Sequence, residues 1–411
     1  MKIKIHSDLN KILRCIIRIS IYRRFIVVFS FILLLIGLSR QSHAATSWFK
    51  PIFALKEEYD DNIFLTDSDE SEDFLTTLAA GISFEPQLNK HELTSNYIID
   101  FEMFADNSDQ NTTNQTFDID GGLNFNDWRI EADNLFRRYE NLTGSEDTAR
   151  IPRTSDRADV KLIYSFNKLD VGLNYTYSFE DYRNDNSIGS FAGQALTYQD
   201  LDSDENSGEL ELAFQFWPKT FLLFSNRYGT HKYDTNKKSD SEYYDILTGL
   251  RGRFFTRGEI EGKIGYRAQD YDDPGEDFDG VIYNVSLVEK FSEKDTLTID
   301  FERTIHSTTY QQNAYFKITN ISGVYTHDFN NRVTGKFKGA YWFNKYPTET
   351  IEGSKTAKRE DDLWHIGTGL SYKLPKYVTI DLNYTYANKS SNFENFDYKN
   401  NRISTMIRMK F

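Results

Sequence analysis

Phe117-Asp118-Ile119-Asp120-Gly121-Gly122-Leu123-Asn124-Phe125 places Phe, Ile, Gly, Leu and Phe on one side of an extended chain and Asp, Asp, Gly and Asn on the other. Successive side chains of a β-strand point to opposite faces, so a two-residue period of this kind predicts a strand with one apolar and one polar face. The pattern recurs along the chain. Trp128, Ile130 and Ala132 alternate with Arg129, Glu131 and Asp133. Leu169, Val171, Leu173, Tyr175, Tyr177 and Phe179 alternate with Asp170, Gly172, Asn174, Thr176, Ser178 and Glu180. Leu297, Ile299 and Phe301 do the same with Thr298, Asp300 and Glu302.

Composition taken alone points elsewhere. The 411 residues include 48 Lys+Arg against 62 Asp+Glu, a formal net charge of -14, with a mean hydropathy of -0.59. Those values suit an acidic soluble protein. Yet 26 Tyr and 32 Phe help raise the aromatic share to 15%, which excludes a disordered chain, because such chains lack large apolar side chains. No stretch after residue 38 approaches the ~20 apolar residues of a spanning helix, which excludes a helical membrane bundle. The acidic excess argues against nucleic acid as a partner, since binding phosphate takes basic charge.

Residues 1–44 read as a secretory signal peptide. Lys2, Lys4, Lys11, Arg14, Arg18, Arg23 and Arg24 form a basic leader, Phe25 to Leu38 is an apolar run, and Ser42-His43-Ala44 is a small-x-small cleavage pattern. A retained membrane anchor is the rival reading, and the shortness of the run counts against it. Cleavage after Ala44 takes 8 Lys+Arg and one Asp with it, deepening the net charge from -14 to -21. It also removes Cys15, the sole cysteine, so the exported chain has no disulfide.

Residues 45–411 form one repeating system. Strands end in Phe84, Phe125, Phe166, Phe216, Phe254, Phe291, Phe329, Tyr372 and Phe411, with gaps of 41, 41, 50, 38, 37, 38, 43 and 39 residues. Short polar turns such as Asn126-Asp127 follow these aromatics, and a second strand then runs to a longer loop. The pattern predicts all-β structure: a transmembrane antiparallel up-and-down β-barrel of about 18 strands (16–18), with short periplasmic turns and long extracellular loops. Among the expected strands are 156–166, 207–216, 332–345 and 362–374, with long loops near 60–73, 140–154, 181–206 and 346–360. Both termini fall on the periplasmic side, and the first hairpin is the least regular. A soluble propeller or solenoid is the competing architecture. Propeller blades share a period of ~40–45 residues but carry four strands each, where every unit here holds two. A terminal Phe411 on the alternating last strand is the kind of signal that barrel assembly machinery reads.

Parity then assigns an inner wall. Candidate lining residues are Glu92, Asp100, Glu102, Asp118, Asp120, Glu131, Asp133, Asp159 and Asp170, and from later strands Arg251, Arg253, Lys263, Arg267, Lys336, Lys338 and Trp342. Acids and bases thus favour different arcs. Two readings stay open: opposed charges setting up a transverse field across a constriction, or paired residues bracing the wall. Trp342, beside Lys336 and Lys338, is either a platform for a sugar ring or a packing residue.

No catalytic constellation, cofactor or metal site is expected. His91, His231, His306, His327 and His365 show no ligand spacing, and only His231 and His306, near outer loops beside acids, keep an enzyme reading open. Segment 60–73 is acidic with no base and 270–280 is acid-rich but misses the ligand spacing of an EF-hand, so solvated loops are the expectation, with divalent bridging to lipopolysaccharide as a weak use.

One segment carries a family resemblance. Glu57-Glu58-Tyr59-Asp60-Asp61-Asn62-Ile63-Phe64 is similar to the opening strand of a β-barrel porin family (β-barrel porin 2-like) of Gram-negative bacteria, often linked to exopolysaccharide loci or associated sorting systems. The resemblance implies location in the cell outer membrane, contact with its lipid and lipopolysaccharide, and a pore for polysaccharide export or for hydrophilic solutes. It carries over no catalytic residue. No periplasmic helical repeat precedes the barrel, so export implies a separate periplasmic export protein. The alternative is a structural or adhesive barrel whose acidic loops meet ligands outside the cell.

Overall fold

In the computed structural model, residues 48–142, 150–191, 194–254, 257–308, 313–375 and 377–411 are described. The expected signal peptide lies outside them. The alternating runs build β1 (Phe49–Asp60), β2 (Asp73–Phe84), β3 (Glu92–Phe104), β4 (Thr112–Asn124), β5 (Trp128–Leu142), β6 (Arg150–Phe166) and β7 (Leu169–Tyr182). A small hairpin of β8 (Ser187–Phe191) and β9 (Gln194–Thr197) stands in the next loop. The wall continues with β10 (Ser203–Trp217), β11 (Thr220–Tyr233), β12 (Ser241–Arg253), β13 (Gly258–Tyr271) and β14 (Phe278–Lys290). It ends with β15 (Asp295–Ser307), β16 (Tyr315–Asp328), β17 (Val333–Glu352), β18 (Lys355–Lys373), β19 (Val378–Ser391) and β20 (Tyr398–Lys410).

Every wall strand pairs antiparallel with its neighbours in chain order, β7 passing to β10 across the hairpin. β1 pairs with both β2 and β20, which closes an 18-stranded barrel. Closure is what a membrane demands, since a free strand edge in hydrocarbon leaves peptide groups unbonded. The expected irregularity of the first hairpin is absent: its register runs unbroken from Phe49↔Phe84 to Asp60↔Asp73.

Residues opposite one another in register share a face, and the ladders separate the two faces cleanly. Leu173, Tyr175, Leu222, Phe224, Ile246, Ile264, Tyr266 and Phe337 are large, exposed and on the outer face, where lipid covers them. Aromatics girdle both rims. At the short-turn end Phe49 packs on Phe84 at 4.8 Å, Trp128 on Tyr164 at 4.4 Å and Tyr377 on Phe411 at 5.3 Å. Toward the outer end, outward tyrosines donate to polar side chains on the next strand: Tyr175 to Asn206 at 2.6 Å, Tyr244 to Asn226 at 2.7 Å and Tyr384 to Asn401 at 2.8 Å. An aromatic ring with a bonded hydroxyl suits the boundary between lipid and water.

Several strands run further outward than hydropathy predicts. The expected spans 156–166, 207–216, 332–345 and 362–374 become Arg150–Phe166, Ser203–Trp217, Val333–Glu352 and Lys355–Lys373. The expected long loop at 346–360 is a ladder from Glu349↔Lys358 to Glu352↔Lys355, turned at Gly353, whose φ of 58° favours glycine. Above the lipid both faces meet water, so the ladder continues without an apolar alternation to reveal it.

The seam explains the opening motif. Asn400 donates to Asp60 at 2.5 Å, the Asn401 side chain to Asp61 at 2.7 Å, and Asn62 to the Lys399 carbonyl at 2.9 Å. Ile63 buries against Leu75 and Phe104 just beyond. Asp60, Asp61 and Asn62 therefore clip the first strand to the last. Asn62→Ala strips a fully buried side chain of its bonds and lowers unfolding stability by roughly 1–3 kcal/mol, read by urea titration of the barrel in lipid vesicles. In the same titration Ile264→Arg, on the lipid face near the middle of β13, costs about 2–4 kcal/mol, while Ser286→Arg on the inner face of β14 costs far less.

Candidate functional site: the inner wall of the barrel

Register places Glu92, Asp100, Glu102, Asp118, Asp120, Glu131, Asp133, Asp159, Asp170, Arg251, Arg253, Lys263, Arg267, Lys336, Lys338 and Trp342 on the face opposite the lipid-covered one. They fall into three groups with different neighbours.

The acids of β3 to β7 line one arc. Asp120, Asp133 and Asp159 lie directly opposite one another across β4, β5 and β6. Their relief is local: Arg157 donates to Asp159 at 2.8 Å and Thr176 at 2.5 Å. Asp100 accepts from Asn114 and Asp118 from Asn96, each at 2.8 Å. Arg129 reaches Glu131 at 2.7 Å and Glu92 at 4.0 Å, and Arg150 reaches Glu102 at 3.2 Å. Asp170 lies opposite Ser165 and Ala213.

The bases of β12 and β13 do not form an unopposed arc, and that part of the charge-separation expectation is corrected. Lys263 reaches Glu209 at 2.7 Å and Glu211 at 2.5 Å, Arg251 reaches Glu211 at 3.5 Å, and Lys161 joins the same carboxylate at 3.2 Å. Arg253 pairs with Glu259 at 2.7 Å. Arg267 and Arg227 grip Asp245, which is fully buried, at 2.7 and 2.5 Å, and both guanidinium groups lie over the Tyr243 ring. Counter-charges come from the adjacent strand for Arg253 and Arg267 and from β10, two or three strands away, for Arg251 and Lys263, so these bases brace the wall. The alternation that marks Arg267 as inward marks Arg227 and Asp245 too; register alone shows that they meet.

Lys336 and Lys338 form the third group. They are exposed and have no ion-pair partner among the described residues. Trp342, further along the same face, stands edge-on to His365 at 4.7 Å and packs against Leu363, Ala387 and Tyr398, so its ring is engaged in packing.

Loops narrow the outer mouth. A 3-10 turn at Tyr198–Leu201 buries Tyr198 and Leu201 against Ile151 and Tyr182, with the two tyrosine rings 6.2 Å apart. Asp200 is tied to Lys237 of the next loop at 2.8 Å. Beneath lies a cavity of about 400 Å3 lined by Arg137, Glu180, Glu205, His231, Gln269 and His306 among others. Both outer histidines thus face a chamber. His231 is edge-on to Tyr233 at 4.7 Å and His306 stacks on Phe316 at 5.8 Å. Among the described residues no His, Cys, Asp or Glu cluster is arranged for a metal.

A closed barrel with an apolar outer surface, aromatic girdles and a hydrophilic inner wall defines an outer-membrane, porin-like channel. The chain belongs to the family described as "Putative beta-barrel porin 2", whose sequence profile matches residues 46–411. That is a family of porins rather than of enzymes, and it sets the chain in the outer membrane. No curated relative matches. Similar solved structures include the outer membrane protein OpdK of Pseudomonas aeruginosa, at 10% identity and a TM-score of 0.46 over 88% of this chain and 99% of that one. OccAB4 of Acinetobacter baumannii is similar at 11% identity and a TM-score of 0.46, covering 89% and 99%. OpdQ of Pseudomonas aeruginosa is similar at 12% and 0.46, covering 90% and 100%.

One titrating group governs the mouth loop. Asp202 follows the 3-10 turn and accepts the Tyr182 N–H at 2.6 Å. Burial pushes its carboxyl up to about 6 against that bond, and Asp181, Asp234 and Asp200 add to the rise. A raised folded-state pKa contributes stability that is full below the unfolded value, near 4, and lost as pH rises through about 6. The 183–202 segment is therefore cleaved more slowly by added protease at pH 5 than at pH 7.5, and Asp202→Asn flattens the difference.

Proposed function

We propose that the barrel conducts hydrophilic solutes across the outer membrane and that its physiological cargo is an exopolysaccharide leaving the cell. The carrying observation is the inner wall. Along β3 to β7 and β10 to β13 most inward positions carry a charged, amide or hydroxyl side chain, and most of these groups remain accessible to water. Eighteen strands enclose enough width for an aqueous path. A row of carboxylates, amides and hydroxyls offers hydroxylated chains many exchangeable hydrogen bonds.

Export of a polymer also requires delivery from the periplasm, for which a separate periplasmic export protein is the proposed partner. Lipopolysaccharide is the proposed neighbour of the outer rim, and the barrel assembly machinery the proposed reader of β20 with Phe411. None of the wall residues is proposed to catalyse a reaction.

The test has two arms. Purified barrel in planar bilayers passes discrete single-channel currents, and Asp118→Lys with Asp120→Lys shifts its selectivity from cations toward anions, read as a change in reversal potential in a salt gradient. Deleting the gene abolishes secreted polysaccharide. Silent bilayers would refute conduction; normal secretion together with lost surface attachment would favour an adhesive barrel.

A further inference from the structure

The inner wall is least balanced where β17 to β20 come round to β1, at the end bearing the short turns. Lys336 and Lys338 on β17 and Lys373 on β18 share the inward face, are exposed, and have no ion-pair partner among the described residues. Arg408 and Lys410 of β20 extend the same surface, held to Asp381 at 2.8 Å and Glu85 at 2.5 Å. Glu85 is held as an anion: its hydrogen bonds from Lys410, Lys50 and Ser83 bring its pKa down to about 2.

Beside the β17 lysines the wall is bare. Lys336 pairs with Gly369 and Lys338 with Gly367, both inward. A Cβ at Gly369 would come within 2.6 Å of the Asn383 side-chain oxygen, so a larger residue there would displace that amide. The result is a concavity of about 480 Å3 whose lining includes Lys336, Lys373, Arg408, Lys410 and Ser371, with one carboxylate, Asp328, which accepts from Thr334 at 2.6 Å.

A cluster of unpaired cations is unexpected in a chain of net charge -14. On β12 and β13 carboxylates of β10 to β13 neutralise the inward bases; here Thr326, Gly367 and Gly369 stand opposite Lys336 and Lys338, and the inward carboxylates Asp328 and Asp381 accept from Thr334 and Arg408. Like charges held on a wall repel one another, and a concave low-dielectric surface concentrates their field on whatever enters. The positions are spread over several strands, which suits several anionic groups in a row better than one. The aspartate row on β4 to β6 repels an anion from its side of the lumen.

We propose that this wall is a binding track for an anionic saccharide, whose carboxylates are taken by Lys336, Lys338 and Lys373 as it enters from the periplasmic side. The inference rests on the channel reading and narrows its cargo from polysaccharides in general to acidic ones. Arg408 and Lys410, already paired, shape the field and need not release their partners.

The probe is tetragalacturonate, with maltotetraose and monomeric galacturonate as controls, used on the folded barrel in planar bilayers and in detergent calorimetry. Tetragalacturonate applied at the short-turn side is expected to block current and to bind more weakly as salt rises, while maltotetraose does neither. Lys336→Gln with Lys338→Gln weakens tetragalacturonate binding by about tenfold, and Lys336→Arg with Lys338→Arg retains it. Heat-modifiable gel mobility confirms that each variant is folded. Equal binding of the acidic and neutral tetramers, or unchanged binding in the glutamine variant, overturns the track. Monomer binding as tight as the tetramer also overturns it, because that describes a single-anion site. Currents without tetragalacturonate binding sink the track alone; binding without any current sinks the channel reading and leaves the track standing.

Discussion

The structure depends first on closure. A peptide N–H in hydrocarbon has no water to bond, so each strand must have a partner on both sides and the last must return to the first. β1 meets β20 along a register from Ile52↔Lys410 to Asp60↔Arg402. Polar clips fasten both ends of that seam: Lys50 and Lys410 on Glu85 at one rim, and Asp60, Asp61 and Asn62 on Asn400, Asn401 and the Lys399 carbonyl at the other. The Asp60-Asp61-Asn62 segment thus has a mechanical role in this chain. It lies where the two ends of the sheet must find each other across more than three hundred residues.

Closure fixes the division of labour between faces. Lipid takes the apolar side of every strand, which leaves charge and amides for the lumen and accounts for a mean hydropathy of -0.59 in a membrane protein. Inside, the charges are resolved in two ways. On β10 to β13 carboxylates are surrounded by bases: Asp245 is gripped by Arg227 and Arg267 of the strands on either side, and Glu211 is reached by Lys161, Arg251 and Lys263 from further round the wall. Breaking such a buried group from its partners is costly, so this arc behaves as a brace. The aspartates of β4 to β6 and the lysines of β17 and β18 are left facing the lumen with weaker local relief.

Much of the fold was legible in the residues and much of the site was not. Sixteen to eighteen strands, their turns and the inward parity of Asp118, Lys263 or Lys336 follow from a local two-residue period; closure of β1 on β20 fixes the count at eighteen. The outer extensions of β17 and β18 escaped that reading because polar residues on both faces carry no alternation. Trp342 shows another limit: parity puts it inside, but only packing shows its ring committed to His365 and the Leu363 cluster. Arg251 and Lys263 looked like one side of a transverse field until register set Glu209 and Glu211 within reach.

The sequence by itself determined which side of each strand faces lipid, the number of wall strands to within two and at which end the turns are short. Each of those properties depends on neighbours along the chain, through the pleat of a strand and the length of a connection. Tertiary structure decided which charges pair, where the lysines of β17 find only glycine beside them, how the Tyr198 turn narrows the mouth and how the opening motif locks the seam. Each of these needs residues distant in sequence brought to one level of the wall. Register and closure accomplish that, and no local period encodes them.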